Sequence, residues 1–69
     1  MEGLKISLAA ARVNAGLTQD IVAKALHVSK NTVCAWEKGT AEPRVSQAKE
    51  LSKLYKMPLD NIFLPEISN

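Results

Sequence analysis

The sequence predicts an all-α fold, a compact bundle of five short helices containing a helix-turn-helix. Three observations carry this expectation. Apolar residues recur at three- and four-residue spacings within successive short segments, the pattern of one helix face. Val and Ile are sparse, and no stretch sustains the period-two alternation of a half-buried strand. The three glycines and three prolines fall at the edges of the periodic segments. With 69 residues and 46% hydrophobic side chains, the chain has enough apolar material for one core and one domain. A domain this small buries only about 60% of its unfolded surface, so its stability should be a few kcal/mol.

The first helix is expected over Leu4 to Ala15, with Leu4, Leu8, Ala11 and Ala15 on one face and Gly16 ending it. Thr18 is a good N-cap for the second helix, and Asp20 in its first turn suits the helix dipole. Val22, Ala23 and Leu26 form its inward stripe. His27 and Val28 follow, and Ser29 caps a third helix, Lys30 to Lys38, anchored by Val33 and Trp36 and closed by Gly39. A loop through Pro43 leads to a fourth helix over Val45 to Tyr55, with Val45, Ala48, Leu51, Leu54 and Tyr55 on or near the inward face. Met57 and Pro58 break it, and a short fifth helix is expected over Leu59 to Phe63. The domain is expected to span residues 1–64, with a short tail over 65–69 that Pro65 keeps from being helical.

Nine basic and seven acidic residues leave a net charge of +2, which permits a polyanionic partner without demanding one. The single cysteine, Cys34, cannot form an intramolecular disulfide, which points to a reducing, cytoplasmic setting. No secretory leader is expected, because Lys5 and Ser7 interrupt the apolar stretch from Leu4 to Ala11. No apolar run approaches the roughly 20 residues that span a bilayer.

The informative stretch is TQDIVAKALHVSKNTVCAWEKG, Thr18 to Gly39. Two helices joined by about three residues must cross steeply, which makes a helix-turn-helix unit whose second helix enters a DNA major groove. Ala23 is small where the helices approach, and Val28 plugs the angle between them. With Val33 and Trp36 inward, steps of about 100° put Asn31, Cys34, Ala35 and Lys38 outward, flanked by Lys30 and by Ser29 at the amino end. Asn31 suits adenine N6 and N7, the lysines suit guanine acceptors or phosphates, and Cys34 and Ala35 suit a thymine methyl. Gln19, opening the second helix, suits a phosphate, while Thr40 and Arg44 stand in the loop after the third helix where phosphates pass.

The chain also resembles a known family. The segments GLTQDIVAKALHVSKNTVCAWEKG and EPRVSQAKELSKLYKMPLDNIF are similar to the phage-repressor and Cro type of helix-turn-helix domain, over about Leu4 to Phe63. The resemblance rests on Gln19, Ala23, Val28, Ser29, Val33, Trp36, Glu37, Gly39 and Pro43 as a set. It implies a five-helix fold, operator DNA as ligand, and a symmetric dimer in many members. It also implies an ion pair between Arg12 and Glu37, and a wheel places Glu37 at the boundary of the third helix's buried side, as such a pair requires. The sequence departs from the family at His27, where a glycine usually supplies a positive φ; His tolerates that region at some cost.

Simpler roles stand beside these. A lone His27 is a turn residue rather than a metal ligand, and no metal or cofactor is expected. Cys34 is a DNA contact, a redox switch or plain filler. Trp36 belongs to the core, and Lys49, Lys53 and Lys56 to a solvated face. No acid–base pair, activated nucleophile or phosphate loop marks an enzyme, and no small-molecule ligand is evident. The expected function is sequence-specific regulation of transcription, as a repressor binding double-stranded DNA. The alternative is an antitoxin-like or adaptor protein using the same fold to hold a protein partner. A homodimer would use Leu59, Ile62, Phe63 and Leu64, joined by Ile67.

Overall fold

The computed structural model describes residues 6–58 and 62–63. Three of the four helices described start on a side-chain hydroxyl. The N–H of Ala10 donates to Ser7 Oγ (3.1 Å), that of Ile21 to Thr18 Oγ1 (3.2 Å) and that of Thr32 to Ser29 Oγ (3.1 Å). Each bond satisfies one of the amino-terminal N–H groups a helix leaves unpaired. The helices are α1 (Leu8–Asn14), α2 (Gln19–Leu26), α3 (Lys30–Lys38) and α4 (Val45–Tyr55). At α4 the arrangement differs: the backbone N–H of Arg44 donates to Gln47 Oε1 at 2.8 Å.

Two short strands complete the fold. Ile6–Ser7 (β1) pairs in parallel with Ile62–Phe63 (β2), Ile6 opposite Ile62 and Ser7 opposite Phe63. This corrects two expectations. The first helix begins at Leu8 rather than Leu4, because Ser7 takes the extended N-cap conformation and leaves the residue before it free to pair. The expected fifth helix is not found: Ile62 and Phe63 are extended, and residues 59–61 lie outside the described residues. A five-residue helix between Pro58 and Pro65 has too few internal hydrogen bonds to outweigh strand pairing with β1. Leu4, the dimer candidates Leu59, Leu64 and Ile67, and the tail over 65–69 also lie outside the described residues.

The core gathers Leu8 and Ala11 from α1, Val22 and Ala23 from α2, Val33 and Trp36 from α3, and Leu51 and Tyr55 from α4. Leu17, Leu26, Val28, Leu54 and Met57 pack partly buried against it. Two further residues of the predicted stripes depart from it. Ala15 is exposed, since it caps α1 rather than extending it. Val45 is 73% exposed, because it is the first residue of α4 and precedes the turn that reaches the core.

Three of the four described helices, α2, α3 and α4, are closed by left-handed residues. Gly39 ends α3 at φ 82°, the conformation only glycine adopts without cost. His27 ends α2 at φ 58° and Lys56 ends α4 at φ 55°, so two side-chain-bearing residues take the same conformation. None of the described helices is long and apolar enough to cross a membrane.

Candidate nucleic-acid interface

The left-handed turn at His27 sets the angle between α2 and α3. The N–H of Val28 donates to the Ala23 carbonyl at 2.9 Å, closing α2, and its side chain turns inward beside the core. Ser29 then caps α3, its hydroxyl also bonded to that of Thr32 at 2.9 Å. Three residues, His27 to Ser29, thus end one helix and begin the next. Val33 and Trp36 lock the inward side of α3, at 1% and 3% exposure.

The opposite side of α3 is the candidate surface. Lys30, Asn31 and Lys38 are exposed, whereas Cys34 and Ala35 are half-buried between them. The centre of the face is therefore low and its ends are long and basic, a profile that fits a groove floor with flanking phosphates. No acidic residue lies in the first turn of α3, where Lys30 meets the positive end of the helix dipole. That placement costs the isolated helix some stability.

The one acid of α3, Glu37, is turned away from this face. Arg12 Nε donates to Glu37 Oε2 at 2.7 Å and Arg12 Nη2 to Glu37 Oε1 at 3.4 Å, joining α1 to α3. The side chains are 16% and 9% exposed, so the pair is sheltered rather than sealed. The hydrogen bond to Glu37 raises the Arg12 pKa above its usual value, against the lowering effect of burial. Neutralising Glu37 internally leaves Lys30 and Lys38 to set the sign of the outward surface.

Gln19 stands beside this pair. Its Nε2 donates to Glu37 Oε1 at 2.9 Å, a contact that sequence reasoning missed. No local signal could reveal it, since the two residues lie on different helices and meet only through the crossing angle. Thr40 and Arg44 are exposed in the loop after α3, and the Thr40 hydroxyl donates back to the Ala35 carbonyl at 3.4 Å. Two surface recesses lie elsewhere. One of about 410 Å³ is lined by Ala25, Leu26, His27, Ser46, Gln47 and Glu50. The other, about 470 Å³, lies between the ends of α1 and α4. Neither includes a residue of α3. Among the described residues no cluster of His, Cys, Asp and Glu could hold a metal ion.

The comparison with protein families bears on the same residues: the model described as Helix-turn-helix matches residues 8–62. The chain belongs to the Cro/C1-type helix-turn-helix family. It is 42% identical over 48 residues to the cryptic phage CTXphi transcriptional repressor RstR of Vibrio cholerae, covering 70% of this chain and 43% of that repressor. It is 38% identical over 50 residues to an uncharacterized HTH-type transcriptional regulator of Methanocaldococcus jannaschii, covering 72% of this chain and 76% of that protein. The chain thus matches less than half the length of the phage repressor. No solved structure matches it significantly. His27 thus holds the left-handed turn at φ 58° as a residue with a side chain, where the family usually has glycine.

Proposed function

We propose that this chain is a sequence-specific double-stranded DNA-binding regulator of transcription, acting as a repressor in the cytoplasm and not as an enzyme. It lays α3 in the major groove. Asn31 reads an adenine edge, Cys34 and Ala35 meet a thymine methyl, and Lys30 and Lys38 reach guanine acceptors or phosphates. Gln19, Ser29, Thr40 and Arg44 hold the backbone on either side. The observation that carries this reading is the outward face of α3, low at its centre and basic at its ends, with its one acid folded inward onto Arg12. The family and the names of the two relatives support it.

Two copies bind together. One recognition helix spans about four to six base pairs, too few to mark a site among the roughly 10⁶ or more competing positions of a genome. A two-fold pair places its helices roughly 34 Å apart, one turn of DNA. Selection from random duplex DNA by the purified protein, followed by footprinting, tests both statements. The expected outcome is an inverted repeat protected at two half-sites about ten base pairs apart, with affinity falling steeply as salt rises. A single protected patch with one protein per duplex removes the dimer. Failure to enrich any duplex removes the function and leaves the adaptor reading.

A further inference from the structure

The hydrogen bond between Gln19 and Glu37 does more than brace two helices. Glu37 accepts from Gln19 Nε2 through Oε1 (2.9 Å) and from Arg12 Nε through Oε2 (2.7 Å). Arg12 Nη1 donates in turn to the Leu17 carbonyl at 3.0 Å, immediately before Thr18, the cap of α2. One guanidinium therefore fixes both the carboxylate and the chain that leads into Gln19.

The chemistry of the amide gives this arrangement a direction. A primary amide carries two N–H donors on one end and an acceptor oxygen on the other, and its terminal torsion is broadly two-fold. A carboxylate accepts only. Glu37 therefore holds the nitrogen end of Gln19 and excludes the flipped rotamer, in which two oxygens would face each other. One N–H of Nε2 is used at Glu37, and the second remains to donate. A phosphate oxygen needs a donor, and the flipped amide would offer it an oxygen instead. Arg12 also neutralises the carboxylate, so the charge that orients Gln19 does not repel the phosphate it serves.

We propose that Glu37 is a positioning residue for DNA-backbone binding: it sets the Gln19 amide so that the remaining N–H of Nε2 donates to one phosphate in each half-site. This rests on the reading of the chain as a DNA-binding protein. Glu37 touches no DNA and acts through Gln19.

The test replaces the phosphates of the selected duplex one at a time with neutral methylphosphonates. Wild-type protein should lose affinity about tenfold at one particular phosphate, and Gln19→Ala should lose sensitivity there alone. Glu37→Gln should weaken the same sensitivity and leave the other phosphates as before, and it should add no loss on a Gln19→Ala background. Equal weakening at every phosphate, or a Glu37→Gln effect undiminished without Gln19, overturns the proposal. A second measurement needs no variant and so survives any folding defect. In the side-chain amide NMR spectrum of the wild type, one Gln19 Nε2 proton should exchange slowly, and the other should shift on DNA binding. Two protons exchanging like those of free glutamine overturn it as well. A wild type that binds no duplex takes down the function and this proposal together, a result separate from loss of the phosphate-specific effect alone.

Discussion

Single residues carry local costs that the rest of the molecule offsets. His27 holds a left-handed conformation at φ 58° with a full side chain, and non-glycine residues there cost of order 1–3 kcal/mol. His27→Gly removes that cost and adds unfolded-state entropy, for an expected net gain of about 0.5–1 kcal/mol, seen as a higher melting temperature. A lower one would mean that the imidazole makes contacts worth more than the strain. Tyr55, at 4% exposure, has its phenol pushed up to about 12, first by desolvation and then by the Glu37 charge, with Arg12 opposing. The folded state thus keeps a proton that the unfolded chain releases near pH 10. Stability from this residue is whole below about pH 10 and declines as pH rises toward 12, by roughly 2 kcal/mol in all. Urea titrations in alkaline buffers should show that decline in the wild type and its reduction in Tyr55→Phe.

At the scale of elements, α2 and α3 were legible because their caps, stripes and stops agree. Thr18 and Ser29 open them, Val22 with Ala23 and Val33 with Trp36 bury one side, and His27 and Gly39 close them. The first and last segments were less legible. The apolar periodicity from Leu4 gave no hint that Ser7 would cap α1 and that Ile6 would pair with Ile62. Lys56 likewise ends α4 in a left-handed conformation that no glycine advertises. The position of α3 separates reading from holding. Asn31→Ala should cost about 1–3 kcal/mol on the preferred site while leaving random DNA nearly unaffected. Lys38→Ala should weaken all sequences alike and reduce the salt slope by about one. Competition titrations with specific and random duplexes at several salt concentrations compare the two. Equal losses on both DNAs for Asn31→Ala would remove it from base reading.

For the whole molecule, three helices meet at one carboxylate. Arg12 of α1, Gln19 of α2 and Glu37 of α3 share it, so the crossing of α2 and α3 is tied to the first helix. Glu37→Ala leaves a sheltered guanidinium and a carboxamide without their acceptor. Because both partners of the ion pair retain some contact with water, the expected cost is about 2–3 kcal/mol, below that of a sealed pair. In so small a domain this should lower the melting temperature by at least ten degrees, with Arg12→Met, Glu37→Met losing less because no charge is left alone. A melt of Glu37→Ala within a few degrees of wild type would show that water replaces the pair.

The sequence by itself determined the helix-turn-helix, since caps, apolar spacing and turn length act within a few residues and need no partner to be read. It also placed Arg12 opposite Glu37 through family resemblance, and the outward set of α3 through the wheel. Only the tertiary structure decided that Gln19 joins that pair, that Cys34 and Ala35 sit half-buried between exposed neighbours, and that Ile62 and Phe63 pair with β1 rather than forming part of a fifth helix. Each of these depends on the distance between segments far apart in the chain. Local propensity carries no record of that distance; it is set when the core closes.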